Sequence, residues 1–322
     1  MKKLVVICGP TGTGKTGLGI KLCKKYNGEI VSADSRQVYK GADIGTNKAS
    51  VTEKLKNRKT EKNKRFRLQE GVRIYLYDVT TPDKQYSASK FIDAAAEVIK
   101  KIWRPGKLPF VVGGTGFYIS ALLGEVKLSG VPADQELRDE LNINSLENLR
   151  ETLKSLAPAK FGQMNNSELK NKQRLIRAIE VAVASKLGRK KPRQKRAPLP
   201  EINILKIGLM APRKIMYHQA DRWAHRIVMS RGLIRETKNL LEHGYRNTRL
   251  LQGMIYAPAV SHLDGKLPKI ELVKTIQGEL HAYIRRQMTW FKKDKKIHWF
   301  DITEVDFDRE VVKLVESFLR KT

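Results

Sequence analysis

No stretch of this 322-residue chain approaches the ~18 consecutive apolar residues that a membrane-spanning helix requires. The short apolar run near the N-terminus leads straight into a glycine-rich loop. It therefore reads as a core strand and not as a signal peptide, and a cytoplasmic location is the expectation. Cysteine is nearly absent: only Cys8 and Cys23 occur. That excludes a disulfide framework or a cysteine metal site and fits two buried thiols in a reducing compartment. The six histidines show no ligand spacing, and no internal repeat is present. Acidic residues are scarce, 33 against 63 Lys and Arg, for a net charge of +30. So large an excess points to a polyanionic partner, nucleic acid ahead of a membrane surface, with solubility as the bland alternative. Hydrophobic residues make up 41% of the chain, enough for one large α/β domain and a smaller one.

What is present is concentrated at the beginning. Leu4–Cys8 is an unbroken apolar run, followed at once by Gly9-Pro10-Thr11-Gly12-Thr13-Gly14-Lys15-Thr16, the pattern G-x-x-x-x-G-K-T of a P-loop. The chemistry needs a buried strand ending in a loop whose backbone N–H groups curl around phosphate oxygens. Glycines permit the close approach, and the next helix turns its positive end to the anion. Gly9, Thr11, Gly12, Thr13 and Gly14 would line that cradle, Lys15 adds a point charge, and the Thr16 hydroxyl is placed to ligate Mg²⁺. Leu18, Leu22 and Cys23 share one face of the following helix. A diphosphate or triphosphate site follows.

Glu29–Asp34 reads as a second buried strand ending in Asp34-Ser35-Arg36-Gln37. Loops after strand carboxyl ends line the crevice of an open parallel sheet, so Asp34 stands beside the P-loop as an acid/base or metal-shell carboxylate, or else as a helix cap. Lys48–Arg67 carries nine basic residues against Glu53 and Glu61 and reads as a polar surface segment. Arg73–Val79 resumes strand character, with Asp78 near a metal or capping a turn. The helix Ser87–Ile102 follows, with Phe91, Ala95 and Val98–Ile99 inward. Phe110–Val112 is a further strand, opening into Gly113-Gly114-Thr115-Gly116. Its backbone donors and the Thr115 hydroxyl are candidates for a substrate or phosphate contact, although close packing alone can demand glycines. Residues 124–197 change to helical spacing broken by Pro158 and Asn165-Asn166. The last helix there, Gln173–Ser185, sets Arg174 and Arg177 three residues apart, a pair able to grip two phosphates or to form a solvated basic face. Lys186–Arg196 is a basic linker or arm. After a strand at Glu201–Met210, helices dominate: Arg213–Arg231, Leu233–His243 and Ile270–Phe291. Trp290, Phe291 and Trp299 could stack on bases, with a core role the plainer choice.

Together these stretches resemble the tRNA dimethylallyltransferase (tRNA isopentenyltransferase) family over nearly the whole chain, in its bacterial form, which has no C2H2 zinc finger. The resemblance rests on GPTGTGKT at Gly9–Thr16, EIVSADSRQVYKGADIGTNK at Glu29–Lys48 and YDVTTPDKQYSASKF at Tyr77–Phe91. It continues through VVGGTGFYISALL at Val111–Leu123, QRLIRAIEV at Gln173–Val181 and RQMTWFKKD at Arg286–Asp294. It implies a P-loop NTPase-like α/β fold, a parallel sheet flanked by helices, with residues 1–123 and 198–322 as catalytic core and 124–197 as a small helical insertion that contacts tRNA. It further implies transfer of a dimethylallyl group from dimethylallyl diphosphate to N6 of the adenine 3′ of the anticodon (position 37). The acceptors would be tRNAs reading codons that begin with U, and the enzyme a Mg²⁺-assisted monomer away from membranes. By resemblance Asp34 is the base and Thr115 orients the reacting groups. The tRNA contacts would be Asp34, Ser35, Arg36, Gln37, Thr115, Arg138, Gln173, Arg174, Leu175, Ile176 and Arg177. The chain departs from the family at Met254-Ile255-Tyr256-Ala257-Pro258, where an IGY-type segment is common and proline removes a donor. Rivals are a P-loop kinase of a small molecule, a prenyltransferase acting on free AMP or ADP, and a non-catalytic RNA-binding protein.

Overall fold

Leu4–Cys8 are at most 1% exposed because their strand lies deep inside a sheet, where both faces are covered and no polar alternation survives. In this computed structural model, residues 1–48, 66–188, 199 and 201–321 are described. The strands are β1 Lys2–Cys8, β2 Gly28–Ser32, β3 Phe66–Gln69, β4 Val72–Tyr75, β5 Leu108–Gly113, β6 Ile202–Met210 and β7 Ile297–Asp301. The helices begin with α1 Lys15–Lys25, α2 Ala88–Trp103, α3 Gly116–Leu122, α4 Gln135–Ile143, α5 Leu146–Leu156, α6 Pro158–Gly162 and α7 Asn166–Leu169. They continue with α8 Lys172–Lys186, α9 Arg213–Met229, α10 Gly232–Glu242, α11 Tyr256–Leu263, α12 Lys269–Phe291 and α13 Phe307–Arg320.

The chain divides into two compact units, Met1–Val126 with Leu199–Thr322, and Lys127–Pro198. The first is a P-loop NTPase-like α/β unit with one seven-stranded sheet of order β3-β4-β2-β5-β1-β6-β7. Only β3 is antiparallel to its neighbour; every other pair is parallel. On one side α1 and α13 bury Leu18, Leu22, Val311 and Val315 in a cluster with Val5, Ile7, Ile30 and Phe110. A second cluster gathers α9 to α12 around Met216, Leu233, Tyr256, Leu272, Ile276 and Leu280, with Val38 and Tyr39 from the segment after β2. The second unit has its own core of Leu141, Leu149, Leu153, Leu175, Ile176 and Ile179. Its helices start where sequence breakers stand: Asp134, Ser145, Asn165 and Asn171 each accept a backbone N–H as N-caps, and Pro158 opens α6.

Several expectations change. The strand anticipated at Arg73–Val79 stops at Tyr75, because Leu76 and Asp78 take positive φ of 67° and 55° and turn the chain. β3, β7, α11 and α13 were not anticipated; α13 carries an apolar period through Val311 and Val315, while β3 and β7 are too short for alternation to stand out. Phe291 is core, and Trp299 lies flat against Gly208 of β6.

The basic segment is corrected at both ends. Residues 49–65, like most of Lys186–Arg196, lie outside the described residues. Lys48 and Arg67, however, are not polar surface. The Lys48 side chain is 0% exposed, and its ammonium donates to Tyr39 O at 2.6 Å, Asp43 Oδ1 at 3.0 Å and Asp78 Oδ1 at 2.6 Å. Arg67 reaches the same two carboxylates. Three donors thus meet three acceptors, the condition under which a buried ammonium is tolerated. Asp78 is held by this cluster. Replacing Lys48 by Met would leave Asp43 and Asp78 with Arg67 alone. With both carboxylates partly solvated, the expected cost is about 2 kcal/mol, read as a lower midpoint in urea unfolding.

Candidate active site

Strand register sets the site. Ser32 of β2 lies opposite Val112 of β5, and Gly113 of β5 lies opposite Cys8 of β1. Three parallel neighbours therefore end at one level, and the loops that leave them, Asp34–Gln37, Gly113–Gly116 and Gly9–Gly14, emerge side by side. In the P-loop Gly9, Gly12 and Gly14 have φ of 135°, 87° and 75°, and a Cβ on Gly9 would sit 2.3 Å from Leu209 O of β6. Lys15 begins α1 and donates to Pro10 O at 2.5 Å. Burial lowers its pKa to about 8, with the Asp34 carboxylate pulling the other way. Thr13 is buried and donates its hydroxyl to Pro10 O at 2.9 Å, so its side chain shapes the loop.

The two oxygens of Asp34 have different surroundings. Its Oδ1 accepts from the backbone N–H groups of Arg36 at 2.8 Å and Gln37 at 3.2 Å, the bonds of a cap. Among the described residues nothing donates to Oδ2. Thr115 holds this turn: its Oγ1 accepts from the Ser35 N–H at 3.0 Å and lies 3.4 Å from Ser35 Oγ, while its own N–H donates to Ala33 O at 3.2 Å. Tyr283 of α12 lies near this turn, and burial followed by the nearby Asp34 charge raises its phenol pKa. Gln37 is tied on both sides, accepting from Ser32 Oγ at 2.9 Å and donating to Thr46 O at 3.1 Å. Arg36 donates to Arg249 O at 2.8 Å.

The glycines of the second loop serve packing. A Cβ on Gly113 would meet Ala33 O at 2.1 Å, and one on Gly116 would meet the Trp290 indole at 2.2 Å. Trp290 is therefore a packing residue here. The polar side chain of this stretch, Thr115, faces the Asp34 turn.

A cavity of about 1030 Å³, counting its mouth, opens between these loops and the α9–α12 layer. Thr11, Gly12 and Asp34 form its polar end; Ala220, Trp223, Leu250, Met254, Ile255 and Leu280 form an apolar wall. Two P-loop residues, a carboxylate and an apolar wall thus share one chamber. The departing segment builds its far side. Tyr256 opens α11 and donates to Glu236 Oε1 at 2.7 Å; Glu236 also accepts the backbone N–H groups of Asp43, Ile44 and Gly45 at 2.7–2.9 Å. Pro258 falls in the first turn of α11, where no intrahelical N–H is required, so the proline costs no helix bond.

Similarity to known proteins follows the same lines. The family model described as IPP transferase matches residues 37–294. The chain belongs to the IPP transferase family. It is 35% identical to a tRNA dimethylallyltransferase of Acetivibrio thermocellus, covering 99% of this chain and 98% of that one. A tRNA dimethylallyltransferase of Endomicrobium trichonymphae is 37% identical, over 90% and 91%. Among crystal structures, the full-length tRNA isopentenylpyrophosphate transferase of Bacillus halodurans superposes with a TM-score of 0.69 at 32% identity, covering 100% of this chain and 98% of the other. A eukaryotic dimethylallyltransferase acting on tRNA shares the fold, with a TM-score of 0.76 at 22% identity over 99% of this chain and 80% of that one.

Of the residues matched to this family's tRNA contacts, those in the second unit divide by burial. Leu175 and Ile176 are core side chains, 0% and 2% exposed. Arg138 and Arg177 converge on Glu180, itself 1% exposed, and Arg177 also donates to Val131 O at 2.7 Å. Gln173 and Arg174 are exposed, Arg174 pairing with Glu168 at 2.8 Å. Sequence reasoning missed Tyr283, Glu236 and Gln287, of which only Gln287 carried a signal, as part of RQMTWF, and it marked Tyr256 only as part of a departing segment.

Lys15 yields a pH test with a defined sign. Its depressed pKa means that a diphosphate meets a charged ammonium below pH 8 and must recruit a proton above it. Affinity for a non-reactive dimethylallyl diphosphate analogue should fall as pH rises through about 8, by up to about tenfold per pH unit. Titration calorimetry between pH 7 and 9 checks this, and Lys15→Ala should abolish the slope along with about 1.5–3 kcal/mol of binding.

Proposed function

We infer that this chain transfers a dimethylallyl group from dimethylallyl diphosphate to N6 of the adenine 3′ of the anticodon in tRNAs reading codons that begin with U, releasing diphosphate. The observation that carries this reading is a cavity in which Thr11 and Gly12 of the P-loop, the Asp34 carboxylate, whose Oδ2 takes no donor among the described residues, and an apolar wall meet. A kinase has no evident use for that wall beside its phosphate loop. The +30 charge favours a whole tRNA over free AMP or ADP as acceptor.

Adenine N6 is a weak nucleophile, since its lone pair is delocalised into the ring. A carboxylate that hydrogen-bonds the amine raises its electron density. As N6 attacks C1 of the dimethylallyl group, the C1–O bond breaks, diphosphate leaves with the electron pair, and the N6 proton passes to Asp34 Oδ2. Lys15 and the N-terminal N–H groups of α1 stabilise the charge that develops on the leaving group. A Mg²⁺ ion suits this donor set: the half-buried Thr16 hydroxyl in the first turn of α1 would hold it together with the donor's own phosphate oxygens and water. Bound there, it would further neutralise the diphosphate. The acceptor base must leave the anticodon-loop stack to reach the cavity.

Incubation with total tRNA and the donor, followed by mass analysis of the nucleosides, tests the reading directly; an unmodified adenosine pool would overturn it. Asp34→Asn separates the two oxygens. The amide oxygen still caps the turn, so tRNA and donor should bind within a few-fold of normal, while single-turnover transfer slows ~10²–10⁴-fold. For the second unit, Arg174→Glu should flatten the salt dependence of tRNA binding by about one unit of slope if the guanidinium neutralises one phosphate. Arg177→Glu would instead unsettle the fold, because it sets a carboxylate against the buried Glu180.

A further inference from the structure

Gln287 of α12 is 5% exposed and touches both glycine loops at once. Its Oε1 accepts the Thr11 N–H of the P-loop at 2.9 Å, and its Nε2 donates to Gly114 O at 2.9 Å. The Thr11 N–H is therefore turned to protein and not to phosphate, so Thr11 offers the donor only its hydroxyl. Gly114 has the complementary signature. A Cβ there would fall 2.3 Å from Gln287 Nε2, with its next neighbours at 3.5 Å or beyond, and the glycine shows no left-handed φ. Glycine is needed at this position because of one side chain.

We propose that Gln287 is the positioning residue that fixes the donor loop and the acceptor loop at one separation. Resting on the prenyltransferase reading, this places Gln287 outside the groups that touch substrate. It acts through Thr11 on the phosphate cradle, and through Gly114 on Thr115 and the turn that carries Asp34. A primary amide accepts from one loop and donates to the other along a single plane without carrying charge. A carboxylate could accept from Thr11 but would face Gly114 O with no proton to give; an apolar side chain would do neither.

The consequence is a specific split in kinetics. Gln287→Ala should slow single-turnover transfer about 10- to 100-fold, with donor and tRNA dissociation constants within about threefold of wild type, since misplacing reactants costs rate before it costs binding. Gln287→Glu should resemble Gln287→Ala in rate despite its matching size. Gly114→Ala should also be slow, and combining it with Gln287→Ala should make it no worse than Gln287→Ala alone, because the sole clash is gone. Thermal unfolding of each variant is followed alongside. Normal turnover in Gln287→Ala, or a Gly114→Ala defect that persists undiminished in the double variant, overturns the proposal. Slow turnover that merely tracks a loss of folded protein does so too. A wild-type protein that fails to modify tRNA would sink the functional reading instead, and leave the loop coupling to be judged by the unfolding data on the Gly114→Ala and double variants.

Discussion

The parallel pairing of β2, β5 and β1 in one register is the constraint from which the site follows. Each pair is fixed by backbone hydrogen bonds between strands buried on both faces, so a one-residue slip would turn core side chains outward. Because Ser32, Val112–Gly113 and Cys8 share a level, a phosphate loop, a threonine loop and a carboxylate turn arrive together without any long-range side-chain code. The helices between them serve to return the chain to the start of the next strand. In the proposed reaction, chemistry is divided among loop ends: charge stabilisation at the P-loop, proton acceptance at Asp34, alignment through Thr115.

Electrostatics in the first unit are sorted by location. Where cations are buried, each is matched: Lys48 with Asp43 and Asp78, and Lys206 in the middle of β6 with Glu125 and Asp294. Asp294 closes the RQMTWFKKD stretch, so the acidic end of that motif is a structural ion pair. Lys15 differs. Among the described residues its ammonium bonds a loop carbonyl and feels the more distant charge of Asp34, and burial lowers its pKa. A cation held in partial desolvation next to a phosphate cradle is poised to gain more from an incoming anion than the fully paired lysines could.

Much of this was legible beforehand, for identifiable reasons. A strand buried on both faces gives a continuous apolar run, so β1, β2, β5 and β6 stood out. The G-x-x-x-x-G-K-T pattern is tied to its geometry, and strand-end position marked Asp34. What escaped notice depended on tertiary neighbours. The glycines of Gly113–Gly116 were compatible with a phosphate contact or with close packing, and the neighbours that make them a packing requirement, Ala33, Gln287 and Trp290, are contacts that no local window reveals. Lys48 and Arg67 looked solvated because their carboxylate partners lie in other segments. Arg174 and Arg177 looked alike at a spacing of three, but the fold gives Arg177 a buried partner and leaves Arg174 exposed. In the apolar wall, Tyr256 and Pro258 read as a departure from a pattern, and only the start of α11 explains why they fit.

The Gln287 contacts also carry a consequence for how the protein is made. They span sequence separations of 276 and 173 residues, and β1 is flanked by strands that begin more than a hundred residues later on either side. A ribosome-bound nascent chain can therefore possess the whole P-loop sequence while lacking most of what shapes it. The first seven-eighths of translation produces a phosphate loop without its clamp, and half of the sheet pairing for β1 waits on β6. Long-range pairing of this kind folds slowly and leaves apolar strand edges uncovered in the interval. Activity would then switch on late and all at once, when α12 docks.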